Sequence, residues 1–231
     1  MSGEPSMPSP ESPPGAAHCP AARRGWYAAL GLSVFLLLGL DWLLARLLWL
    51  PLFFGLFFFL VAGLIVGGVS FRAARAARPL TRRGILLGAF AVATVSTLAT
   101  VGWEYVHISG TIGDPPAFAH ARNAARRGGS PAKEVGRLAT DRFKEQLAEN
   151  YPPGGPIGYV QWAVASGEMD LEVSGFTEKV SIDQRGLIWP LRTAAALLLT
   201  VAGLWLSFES LRSPMPISNV LAPGEEYEEI D

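Results

Sequence analysis

Trp26 to Phe71 reads WYAALGLSVFLLLGLDWLLARLLWLPLFFGLFFFLVAGLIVGGVSF, with Asp41 and Arg46 its only charged residues. As one helix rising ~1.5 Å per residue it would be about 70 Å long, roughly twice the hydrocarbon thickness of a bilayer. The run is therefore expected to fold back as two membrane spans, occupying residues 25–71 and breaking between Ala45 and Pro51. Pro51 suits a first helical turn. Trp42 and Trp49 flank the break, so both indoles would sit at one headgroup layer, where an amphipathic ring is favoured.

Working outward, two more apolar runs appear, at residues 84–104 and 186–208. The fold class expected is a membrane α-helical protein: four transmembrane helices with a small extracytoplasmic α+β domain, residues 105–185, inserted between the third and fourth. Composition agrees, since half of the 231 residues, 50%, are hydrophobic. The net charge of −1 conceals a local asymmetry. Arg72, Arg75, Arg78, Arg82 and Arg83 crowd the loop at 72–83, whereas Glu225, Glu226, Glu228 and Glu229 crowd the C-terminus around Tyr227. The positive-inside bias assigns the arginine loop to the cytoplasm, and both chain termini with it, in a plasma or bacterial inner membrane. Arg72, Arg75 and Arg78 recur at helical spacing and suit anionic lipid headgroups. Topology explains them without nucleic acid as a partner.

Residues 1–24 are rich in Pro, Ser and Gly and read as a disordered cytoplasmic tail, and 209–231 as an acidic one. Arg23 and Arg24 before an apolar run resemble a signal peptide, but the run is too long and lacks a convincing cleavage site, so an uncleaved first span is expected. Cys19 is the single cysteine, which excludes an intrachain disulfide and a cysteine-based metal site.

Gly63 and Gly67 in the second span form a small-xxx-small pair that would let another helix approach closely. The third span is rich in Ala, Gly, Ser and Thr and suits the interior of a bundle. Its Thr94, Ser96, Thr97 and Thr100 either bond their own helix backbone or line a polar path. In the inserted domain, Asp114-Pro115-Pro116 signals one helix start and Ser130-Pro131 another, the latter followed by an apolar stripe of Val135, Leu138, Ala139, Phe143 and Leu147. IGYVQWAVAS makes a short helix. The stretches MDLEV and FTEKVSI alternate about Ser174-Gly175, predicting a hairpin that pairs Met169 with Val180, Asp170 with Lys179 and Val173 with Phe176.

Ionisable residues within or beside spans are Asp41, Arg46, Glu104, His107 and Arg192, all mapping to the outer interface. Glu104 with Arg192, or Asp41 with Arg46, would pair to fix how helices meet. Glu104, His107, Asp114 and His120 could form a zinc group, but ordinary polar interface residues explain them more simply. No catalytic motif, haem pair or phosphate loop is present, so neither cofactor nor metal is expected. Tyr159 and Trp162, at i and i+3 of the short helix, either complete the domain core or meet a partner. The acidic tail from Glu225 to Glu229 is a second partner-binding candidate. The sequence thus favours a non-enzymatic scaffold or accessory subunit with protein partners, over a small transporter or channel component using a polar path along the third span.

Overall fold

The computed structural model describes residues 20–47, 52–77, 80–112, 123, 132–173, 175–182 and 185–212. Readings that fall on the N-terminal tail, Pro51 with Trp49, Arg78, Asp114 to His120, Ser130-Pro131 and the acidic tail from Glu225 to Glu229 lie outside them. The elements are α1 (Pro20–Leu47), α2 (Leu52–Ala74) extended by a 3₁₀ turn at Arg75–Ala77, α3 (Arg82–Thr111), α4 (Ala132–Asn150), α5 (Gly155–Ala165), β1 (Glu168–Val173), β2 (Phe176–Ser181) and α6 (Ile188–Glu209).

The chain is mostly helical, and α1, α2, α3 and α6 are each long and apolar enough to cross a membrane. This is the pattern of a multi-pass membrane protein. Large apolar side chains point outward along all four helices, among them Phe35, Phe57, Ile65, Leu87, Leu98 and Leu198. A water-facing bundle could not carry that many.

Helix α3 continues past Glu104, where its span was expected to end, as far as Thr111. Its 30 residues would measure about 45 Å, so in a bilayer its last two turns would project beyond the hydrocarbon core. The cap, made of α4, α5 and the hairpin, is built on this projection. Ile108 of α3 and Ile112 at its C-cap share one apolar core with Phe143 and Leu147 of α4, Tyr159 and Trp162 of α5, Leu171 of β1 and Trp189 of α6. Thr140 of α4 donates to the Ser109 carbonyl of α3 at 2.9 Å. Most of the expected α4 stripe is buried as read, but Leu138 stays 39% exposed because it borders a surface groove.

The hairpin has the register expected from its alternation, including Met169 opposite Val180, Asp170 opposite Lys179 and Val173 opposite Phe176. Gly175 at φ 79° supplies the left-handed turn residue. Met169, Leu171 and Val173 face the core, which fixes the register, since a slip by one residue would expose all three.

In the bundle, α2 and α6 run in the same direction and meet backbone to backbone. A Cβ on Gly63 would lie 2.7 Å from the Thr200 carbonyl oxygen, and one on Gly203 2.6 Å from that of Leu60. A Cβ on Gly67 would meet the Ser207 side chain instead. Ser207 Oγ also donates to the Leu64 carbonyl at 3.0 Å. The α1–α3 contact is closed at its other end by Trp26, whose ring lies over Gly88.

Candidate functional site

Ser96, Thr100, Glu104 and Ile108 recur every four residues and so occupy one buried face of α3. Two polar clusters are strung along it. In the first, Asp41 of α1 is fully buried and its Oδ1 accepts from Ser96 Oγ at 2.6 Å and from Thr100 Oγ1 at 3.2 Å. Thr100 also donates to the Ser96 carbonyl at 3.0 Å, as does Thr94 to that of Phe90 at 2.8 Å. Asp41 Oδ2 has no hydrogen-bond partner among the described residues.

The second cluster sits where bundle and cap meet. Arg192 Nη2 donates to Glu104 Oε1 at 2.8 Å, and these side chains are only 5% and 2% exposed. Arg192 also lies 5.9 Å from the centre of the Trp189 ring. Tyr159 closes the cluster from the cap side, its ring 6.0 Å from Tyr105 and 6.4 Å from Trp189. Its hydroxyl faces the Glu104 carboxylate and the Trp189 indole without closing a hydrogen bond to either. Burial first, and the nearby Glu104 charge second, push the Tyr159 phenol well above the usual tyrosine range. It stays protonated at any physiological pH.

Several sequence readings change here. Glu104 pairs with Arg192, but Asp41 does not pair with Arg46: its carboxylate turns inward to α3, while Arg46 is exposed and stacks 4.4 Å above Trp42. Asp41, Glu104 and Arg192 were expected at a wet outer interface and are instead enclosed. Tyr159 of the cap, with Tyr105 of α3 and Trp189 of α6, covers Glu104 and Arg192, while Asp41 is enclosed by its contact with Ser96 and Thr100 of α3. Ser96 and Thr100 do more than bond their own helix. Tyr159 and Trp162, read as partner-binding candidates, are both fully buried, and Trp162 Nε1 donates to the Glu168 carbonyl at 3.0 Å. They complete the cap's own core. His107 is half-buried and faces a groove beside Arg46. No group of three or more His, Cys, Asp or Glu suited to a metal occurs among the described residues; the zinc reading required Asp114 and His120, which lie outside them.

Beyond the two clusters, a groove of about 590 Å³ runs between α4 and the hairpin, bordered by Leu138, Arg142, Glu149 and Glu172. Sequence reasoning missed this surface. Its signal was faint: carboxylates at Glu145, Glu149 and Glu172 beside one apolar residue out of the buried stripe. Comparisons with protein-family models, curated proteins and solved structures return no match to this chain.

Proposed function

We propose that this protein is a non-enzymatic scaffold or accessory subunit of a plasma or bacterial inner membrane, with both termini cytoplasmic and the cap on the outer face. The observation carrying this reading is the enclosure of Glu104 and Arg192 beneath Tyr159. On this reading Glu104 and Arg192 serve to seat the cap on the bundle and are enclosed there, not offered to a substrate. A cap held this way presents a fixed surface, and its groove between α4 and the hairpin is where an extracytoplasmic partner would dock; the acidic tail would serve a cytoplasmic one. This orientation is supported by the exposed Arg72, Arg75, Arg82 and Arg83 gathered at the end of the bundle away from the cap, through the positive-inside bias.

The test is mild-detergent purification from native membranes of the full chain, a version ending at Arg212, and Leu138→Glu. A stoichiometric partner held by the full chain and lost from one variant supports the reading; no partner with any of them contradicts it. A second reading, a transporter or channel component, is favoured by one observation: Asp41 lies within α1 with only hydroxyl partners and an unbonded Oδ2. Proton or sodium flux in reconstituted vesicles that disappears in Asp41→Asn would establish it.

A further inference from the structure

At the cap end of the bundle, α1 and α3 splay to leave a groove of about 300 Å³. Trp42 and Arg46 of α1 form one wall, and Trp103, Val106, His107 and Thr111 of α3 the other. Arg46 lies one residue from the end of α1. Counting about 20 residues, one bilayer crossing, from Gly84 along α3 reaches Trp103, so the groove straddles the boundary between hydrocarbon and headgroups.

Its chemistry is one-sided. Among the described residues no carboxylate lines it and Arg46 forms no ion pair. Asp41, the nearest acid on the same helix, is turned away into its bond with Ser96. Among the described residues this arginine, held over an indole at the end of a span, is thus a cation without a carboxylate partner in a shaped recess. Toward the membrane interior, beyond the groove, the exposed surface of the two helices is apolar. Leu38 lies one turn below Trp42 and Val95 two turns below Trp103 on the same helix faces, and both are exposed. A recess with a cation at its headgroup end, two tryptophans at the boundary and an apolar strip beneath matches one molecule in layout: a phospholipid bearing negative charge.

We propose that this groove binds a single anionic phospholipid of the cap-side leaflet. The phosphate would rest on the Arg46 guanidinium, the glycerol region between Trp42 and Trp103, and one acyl chain along Leu38 and Val95. The site is separate from the arginine loop, which lies at the opposite end of the spans, and does not depend on the scaffold reading.

The experiment reconstitutes the full chain with photoactivatable phosphatidylglycerol or phosphatidylcholine of matched acyl chains and maps the crosslinks to peptides. In the wild type, phosphatidylglycerol should crosslink preferentially to the peptides holding Leu38 to Arg46 and Val95 to His107. Arg46→Gln, an exposed substitution that leaves the buried clusters intact, should cut that yield about fivefold, the share of one basic residue at a membrane surface. The yield at the 72–83 loop should stay unchanged. Equal groove yields from the two lipids, an unchanged groove yield in Arg46→Gln, or an equal fall at the loop would each overturn the proposal.

Discussion

The seam between α2 and α6 and the buried face of α3 solve one problem with opposite chemistry. Along α2 and α6, Gly63 and Gly203 remove side chains so that backbones touch, and the hydroxyls beside them are met by helix carbonyls, Thr200 by that of Ala196 and Ser207 by that of Leu64. Along α3, Ser96, Thr100 and Glu104 do the reverse, placing hydroxyls and a charge where Asp41 of α1 and Arg192 of α6 meet them. A glycine seam specifies how closely two helices lie. A polar face specifies which residue must meet which, so errors in it cost more. The cap is seated on the polar face, where register matters, and the closest helix packing lies elsewhere.

This contrast fails first, if it fails, at the ion pair. Glu104→Leu leaves Arg192 charged and enclosed, and should destabilise the protein by about 3–5 kcal/mol, read as a lowered unfolding midpoint in detergent. The double variant Glu104→Leu/Arg192→Met should recover most of that loss. If the two single losses simply add, the pair is not the joint described here. On the glycine seam, Gly203→Ala should cost about 1–3 kcal/mol, because the new methyl meets backbone that cannot rotate away. Gly68→Ala, with nothing within 4 Å of its Cβ, should be neutral or slightly stabilising. A matching loss at both positions would mean that helix propensity, not closeness, accounts for these glycines.

Asp41 sharpens the polar half of the comparison. Asp41→Asn keeps an acceptor for both hydroxyls and should cost about 1 kcal/mol or less, whereas Asp41→Ala leaves Thr100 its bond to the Ser96 carbonyl but orphans the Ser96 hydroxyl, and should cost about 1–3 kcal/mol. A large loss in the asparagine variant would show that the negative charge itself is required.

The legibility of the sequence divides along the same line. Four spans, the α4 stripe and the hairpin register follow from apolar periodicity, which is a local property. Gly63 and Gly67 were readable as a packing pair, but Gly203 was not, since only the fold brings it beneath Leu60. The pairing of Glu104 with Arg192 was open to a guess of complementary charge across the bundle. Its burial was not: that depends on Tyr105, Tyr159 and Trp189 converging from three helices. Arg46 shows the opposite error. Proximity in sequence suggested Asp41 as its partner, and helix geometry sent the two side chains to different faces.

The smallest effect is expected outside the bundle. Glu168 is held below its usual carboxylate range chiefly by its bond with Lys179, at 2.7 Å, and then by the charge of Arg185, at 2.6 Å. A depressed folded-state value means that this contribution is complete above the ordinary glutamate range and is lost as pH falls through the lowered one. Acidification should therefore loosen the hairpin before the bundle, and Glu168→Gln should flatten that pH dependence in hydrogen exchange of β1 and β2.

The measurement that tests the enclosed polar face most directly is cysteine accessibility along α3, with Cys19 replaced and single cysteines placed from Thr94 to Thr100 in native vesicles. A dry joint predicts that Ser96→Cys and Thr100→Cys resist a small charged thiol reagent applied from either side. Ready labelling at both positions would contradict it, and would put a water-filled path where we place a sealed contact.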